Sequence, residues 1–172
     1  MKLLSSLTVF SLAFSSAAWA DFEAGAHGGY NVMSVKGAND TTSGIAMGVR
    51  AGMGVGLGLT PELNITRYSA APADGGEDAT VTQIQTGLGA RFYVGDFFLR
   101  PFIAGHLNYA MAASTGAGTV PGTSGLGVDV GAGLQLKIMD LIYTELHGSY
   151  ARILNDAEIS NIYAGLGLGI KL

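Results

Sequence analysis

The chain of 172 residues has no cysteine, one tryptophan, four prolines and only 13% charged side chains. Without cysteine it has neither a disulfide framework nor thiolate chemistry to offer. Nine basic residues stand against 13 acidic ones, a formal net charge of −4, and no run of lysine or arginine occurs. The electrostatic footprint of a nucleic-acid-binding protein is therefore missing, and no nucleic-acid partner is expected. Beyond residue 20 no apolar run reaches the ~18 residues that a membrane helix requires. Yet hydrophobic residues make up 48% of the chain, glycine occurs 27 times, and mean hydropathy is positive. That combination suits neither a water-soluble globule nor a disordered tail.

The first twenty residues stand apart. Lys2, the apolar stretch Leu3 to Ala18, and the small-residue site Ala18-Trp19-Ala20 before Asp21 read as a cleaved export signal. This divides the chain into a signal, 1–20, and one domain, 21–172, with the sole tryptophan, Trp19, on the signal side.

In the remainder the dominant pattern has a period of two. Ile45, Met47, Val49, Ala51, Met53, Val55, Leu57 and Leu59 alternate with Ala46, Arg50 and glycines at 48, 52, 54, 56 and 58. The same alternation recurs from Leu126 to Ile138 and from Asn161 to Leu172. One wholly apolar face opposite a glycine-rich polar face describes strands between hydrocarbon and a polar interior. A soluble sandwich would instead show Lys, Glu and Thr on its second face.

Eight such segments can be drawn, at 22–32, 45–59, 63–70, 80–92, 97–111, 126–138, 141–150 and 161–172. The expected fold is all-β, an eight-stranded antiparallel up-and-down transmembrane β-barrel. Thr60-Pro61-Glu62, Val94-Gly95-Asp96 and Met139-Asp140 read as tight turns. The connections 33–44, 71–79, 112–125 and 151–160 are longer, as at the outer end of such barrels. Phe22, Phe92 and Phe97 fall on the lipid face beside the turns, and Tyr30, Tyr109 and Tyr150 on the same face beside the loops, forming two aromatic girdles. In segment 63–70 the register of Leu63 and Ile65 would carry Arg67 into lipid, so a bulge or register shift is expected there.

The signal, the eight alternating strands, the short turns, the stretch Pro101-Phe102-Ile103-Ala104-Gly105 and the ending Gly165-Leu166-Gly167-Leu168-Gly169-Ile170-Lys171-Leu172 resemble the small Gram-negative outer-membrane β-barrels of the OmpA transmembrane-domain and opacity-protein type. The resemblance spans residues 21–172. It implies residence in the bacterial outer membrane, contact with outer-membrane lipids and lipopolysaccharide, recognition of the last strand by the barrel-assembly machinery, and a monomer. The family usually ends in Phe or Trp, and this chain ends in Leu172, a departure that bears on assembly.

An eight-stranded barrel has a lumen just wide enough for its own side chains. The inward set contains Glu23, His27, Arg50, Arg91, Arg100, His106, Asp129, Gln135, Lys137, Glu145, His147 and Lys171. Buried charges must pair, so these residues are expected to form a polar network that plugs the lumen. Glu23 and Lys171 become neighbours on closure, and Glu145 sits opposite Gln135 and diagonal to Lys137. Arg91 and Arg100 are expected to face each other across their turn, which is unfavourable unless a carboxylate such as Glu145 or Glu62 reaches them. The three histidines lie on strands one, five and seven without an i, i+2 pair, which points to hydrogen bonding and not to a metal site. No cofactor is implied.

His147-Gly148-Ser149 resembles the His-x-Ser pair of lipid A deacylases, with Glu158 as a downstream acid. In that family the pair faces lipid, whereas here it shares the inward face of Tyr143 and Glu145. The acidic segment 73–78 is a solvated loop tip or a divalent-cation site against lipopolysaccharide phosphates. The expected function is a non-enzymatic structural or surface-interaction barrel. The alternatives are a narrow passive pore and a lipid A-modifying enzyme.

Overall fold

A computed structural model describes residues 21–35, 41–71, 80–95, 98–115, 122–154 and 158–172. The export signal, Phe97 and the acidic segment 73–78 lie outside the described residues. Eight strands form in chain order: β1 Phe22–Val35, β2 Thr42–Met53, β3 Leu59–Ala71, β4 Thr80–Tyr93, β5 Leu99–Thr115, β6 Thr123–Lys137, β7 Ile142–Ile153 and β8 Ile159–Lys171. Each pairs antiparallel with the next, and β8 returns to β1 to close the barrel. The closing ladder runs from Glu23–Lys171 to Val35–Ile159. Beyond it, the Phe22 N–H donates to the Leu172 carbonyl at 3.0 Å, and the Leu172 N–H donates back at 2.8 Å. Leu172 therefore closes the seam through its backbone.

The period of two becomes the two faces of the wall. Along β5, Ile103, Leu107, Tyr109 and Met111 point outward, while Phe102, Ala104, His106, Asn108 and Ala110 are buried in the lumen. Phe22, Tyr30, Phe92, Tyr109 and Tyr150 are all exposed on the outer face.

Two expectations are corrected. The turn between the second and third strands is at Gly54–Gly58, not at Thr60-Pro61-Glu62. Gly56, Leu57 and Gly58 adopt φ values of 93°, 54° and 76°, and the Val55 N–H donates to the Leu59 carbonyl at 2.9 Å. Glycine alone takes such angles without a steric cost, so the chain reverses in the glycine run. Leu57 shares the left-handed conformation at the tip, 98% exposed. β3 therefore starts at Leu59, and Thr60 and Glu62 become buried lumen residues. Pro61 lies just past the last β2–β3 pair, Gly52–Glu62, where a missing N–H leaves no gap in that ladder.

The second correction concerns Arg67. The β2–β3 and β3–β4 ladders are continuous through it, pairing it with Met47 and Ile84, so there is neither bulge nor slip and Arg67 is exposed on the outer face. It lies four residues from the loop end of β3. The cost of an outward arginine falls from ~2–4 kcal/mol at the bilayer midplane to ~0–1 kcal/mol near the interface.

Several strands also extend further toward the loops than expected: β1 to Val35, β5 to Thr115 and β7 to Ile153. At that end the lumen is apolar, filled by Met33, Tyr68, Ala70, Ala112, Ile153, Ile159 and Tyr163. The ladders continue because these side chains bury against one another.

The wall is thin where the fillers are large. A Cβ on Gly25 would meet the Tyr143 hydroxyl at 2.8 Å. Gly25→Ala is expected to lower stability by ~1–3 kcal/mol, the usual cost of overpacking. Urea titration in lipid vesicles, followed by circular dichroism, measures this. The loss should shrink when Tyr143→Phe removes the opposing hydroxyl.

Candidate functional site

The lumen is layered, and its centre is an ionic quartet. Arg50 on β2 donates to Glu62 on β3 at 3.1 Å and to Glu145 on β7 at 3.0 Å. Arg91 on β4 donates to Glu145 at 2.7 Å and lies 3.4 Å from Glu62 through Nε. Each guanidinium thus touches both carboxylates, and all four side chains are buried. The ring extends on both sides. Arg50 also donates to the Tyr143 hydroxyl at 2.9 Å. His106 on β5 presents Nε2 to Glu62 at 2.8 Å and Nδ1 to Asp129 on β6 at 3.2 Å. The Arg91 guanidinium lies 4.0 Å over the Phe102 ring, a cation–π contact. β8 contributes space instead of side chains: a Cβ on Gly167 would meet Glu145 Cγ at 2.7 Å.

Toward the turn end lies a second layer. The Tyr93 hydroxyl donates to Glu23 at 2.8 Å and accepts from Gln135 at 3.1 Å, while Arg100 donates to Gln135 at 3.0 Å and stacks 4.0 Å over the Tyr93 ring. Glu23 also lies 3.6 Å from Arg50 and 3.7 Å from Arg100, which links the layers. Beyond them is an open mouth of about 540 Å³, lined by Asp21, Glu23, Tyr93, Arg100 and Lys171 among others.

Toward the loop end the chemistry becomes neutral. His27 and His147 meet edge to face at 6.2 Å, each beside Tyr163 at 5.7 and 5.6 Å. His27 Nε2 is 3.3 Å from the Thr66 hydroxyl. Above them Asn31, Asn161 and Gln83 form an amide chain, with bonds of 3.3 and 3.0 Å, and the apolar cluster closes the end.

The inward residues read from the sequence are therefore placed as follows. Glu23, Arg50, Arg91, Arg100, His106, Asp129, Gln135 and Glu145 lie in the two charged layers. His27 and His147 lie in the aromatic layer, and Lys137 and Lys171 at the turn end. Glu23 and Lys171 are ladder partners, but Lys171 pairs with Asp21 at 2.6 Å. Arg91 does not face Arg100. Its ladder partner is Ala104, and Glu145 and Glu62 hold it. The histidines are nearer than their strand positions implied, since all three line one interior cavity of about 20 Å³. Among the described residues, no group of three His, Asp or Glu side chains could hold a metal ion. The network also contains Tyr93, Phe102, Tyr143 and Tyr163, which the sequence reading left outside it, and Glu62, which that reading placed in a turn within reach of Arg91. The alternation of Thr60, Glu62, Asn64 and Thr66 against Pro61, Leu63 and Ile65 was the signal for Glu62.

The enzyme candidates do not assemble. His147 is buried in the lumen, with neither ring nitrogen hydrogen-bonded among the described residues. Ser149 lies on the same inward face, while Glu158 binds Arg152 at 2.5 Å outside the lumen.

A closed eight-stranded barrel with an apolar exterior and a charge-paired interior defines a class, the transmembrane β-barrels of outer membranes. The chain belongs to the outer membrane protein β-barrel domain family, whose pattern it matches over residues 3–170. Among solved structures it is similar to Neisserial surface protein A, with a TM-score of 0.74 and 16% identity over 88% of this chain and 97% of that one. It is also similar to the N-terminal β-barrel domain of Pseudomonas aeruginosa OprF, with a TM-score of 0.64 and 17% identity over 88% and 97%. A third, the outer membrane enzyme PagL, has a TM-score of 0.52 and 14% identity over 87% and 98%. At these identities the likeness is one of fold, and the fold is shared by an enzyme and by other barrels. No curated protein matches the sequence.

The quartet makes a quantitative prediction. Glu145→Leu leaves two buried guanidinium groups sharing Glu62, and should lower stability by ~3–5 kcal/mol in urea titration. The double variant Glu145→Leu/Arg91→Leu keeps a balanced Arg50–Glu62 pair and should lose less than Glu145→Leu alone.

Proposed function

We propose that the protein is a sealed, non-enzymatic barrel of the bacterial outer membrane that supports the envelope and presents its loops to the outside. The observation that carries this reading is the Arg50–Glu62–Arg91–Glu145 quartet, which spans the lumen at mid-barrel. The interior cavity beside the quartet has about 20 Å³, room for a water molecule at most. His147 and Ser149 face this interior, out of reach of an acyl chain in the bilayer, which counts against the hydrolase reading. In the proposed setting residues 1–20 are the cleaved export signal, the assembly machinery receives β8, and the folded monomer is surrounded by lipid and lipopolysaccharide.

The test is single-channel conductance of the refolded chain in a planar bilayer. The wild type should stay silent, and ion steps should appear in Arg50→Ala or Glu145→Ala if those charges are the plug. Reproducible steps in the wild type would make the lumen a pore. Silence in all three would leave the barrel sealed and move the plug to the apolar cluster at the loop end.

A further inference from the structure

The outer face of the barrel is almost free of charge. Among the described strand residues only Arg67 and Arg152 point outward with a charge, and Arg152 is already bound to Glu158. Arg67 is exposed, with no side-chain partner among the described residues. Its surroundings on β3 and β4 are also unusual. Directly opposite Arg67 is Ile84, so Thr82 and Thr86 are its two diagonal neighbours, and Ser69 is the next outward residue on its own strand. Diagonal outward neighbours in a sheet lie ~7–8 Å apart, within reach of a long side chain. One guanidinium and three hydroxyls thus share a patch two strands wide.

The pairing also fixes the depth of this patch. Ser69 is the partner of Ile45, itself the partner of Tyr30, and Thr86 is the partner of Tyr109. Strand tilt offsets ladder partners in height, and Arg67 lies between these two pairings, so the patch is centred near the tyrosines beside the loops, where aromatic girdles mark the boundary between hydrocarbon and headgroups. A guanidinium at that depth extends along the wall to the headgroup plane.

From this geometry we infer that Arg67, with Ser69, Thr82 and Thr86, forms a surface site for the phosphate monoester of a lipid A headgroup in the outer leaflet. A guanidinium offers parallel N–H donors to two phosphate oxygens, and the hydroxyls can donate to a third. A monoester presents three such oxygens and the diester of a phospholipid only two, so the donor set favours the monoester. The assignment rests on the outer-membrane placement proposed above, with the loops outward. Its readout is independent of whether the lumen conducts.

The experiment is native mass spectrometry of the refolded protein in neutral detergent. The probes are bis-phosphorylated lipid A, lipid A with both phosphates removed, and phosphatidylglycerol. Arg67→Leu should weaken bis-phosphorylated lipid A binding about tenfold, the lower range for hydrogen bonds to a charged group. Thr82→Val/Thr86→Val should weaken it by a smaller factor. Binding of the dephosphorylated lipid should not change, and Arg152→Leu should match the wild type. Gel mobility confirms that each variant is folded, and leucine at a lipid-facing position favours folding. Wild-type affinity in folded Arg67→Leu would overturn the assignment. So would phosphatidylglycerol binding as tightly as lipid A with the same dependence on Arg67.

Discussion

Hydrocarbon offers no hydrogen bond to a peptide group, and the rest of this molecule follows from that. Each backbone N–H and C=O at membrane depth must find its partner within the protein, which a closed sheet provides. The β1–β8 seam therefore carries as much of the fold as any hairpin, and it continues to the Phe22–Leu172 pair. The same constraint places the prolines. Pro61 and Pro101 are each the third residue of their strand, close to a turn, where a missing donor does least harm. It also confines irregular backbone to the two ends of the barrel.

Closure at eight strands creates a second problem, a narrow interior far from bulk water. The protein fills it unevenly. Charges gather from the middle toward the turns, where the open mouth lies, and apolar side chains gather toward the loops. Glycine makes this filling possible by keeping the wall thin beside Tyr143, Glu145 and the histidines. Wall and filling are thus divided between residue types, bare backbone for one and a small set of large side chains for the other.

The architecture was legible because lipid enforces a period of two along 45–53, 126–137 and 162–170, with little tolerance for exceptions. The turn at Gly54–Gly58 was not, because glycine fits an inward position and a left-handed turn equally well, and Val55 and Leu57 continued the apolar rhythm by chance of position. Reading Thr60-Pro61-Glu62 as a turn on composition then left Glu62 as a carboxylate reaching in from a turn, not as a strand member of the central quartet. Arg67 was misjudged for a different reason: the cost of a charge in the bilayer depends on depth, which periodicity does not report. Neighbours along a ladder, such as Gln135 and Glu145, could be read from strand order. Partners across the lumen, such as Arg50 and Glu145, depend on the barrel's cross-section and could not.

The interlocking of the quartet also bears on how such a protein can diversify. Arg50 and Arg91 each hold both Glu62 and Glu145, so no single member can change without leaving a buried charge exposed to its own kind. Variation in the interior must then proceed in compensated pairs, a slow route for a lineage that accumulates one substitution at a time. Among the described residues the outer wall carries no such interlocked network and can drift residue by residue. A conserved-looking interior and a fast-changing exterior would therefore arise from charge bookkeeping alone, even if nothing ever passed through the barrel.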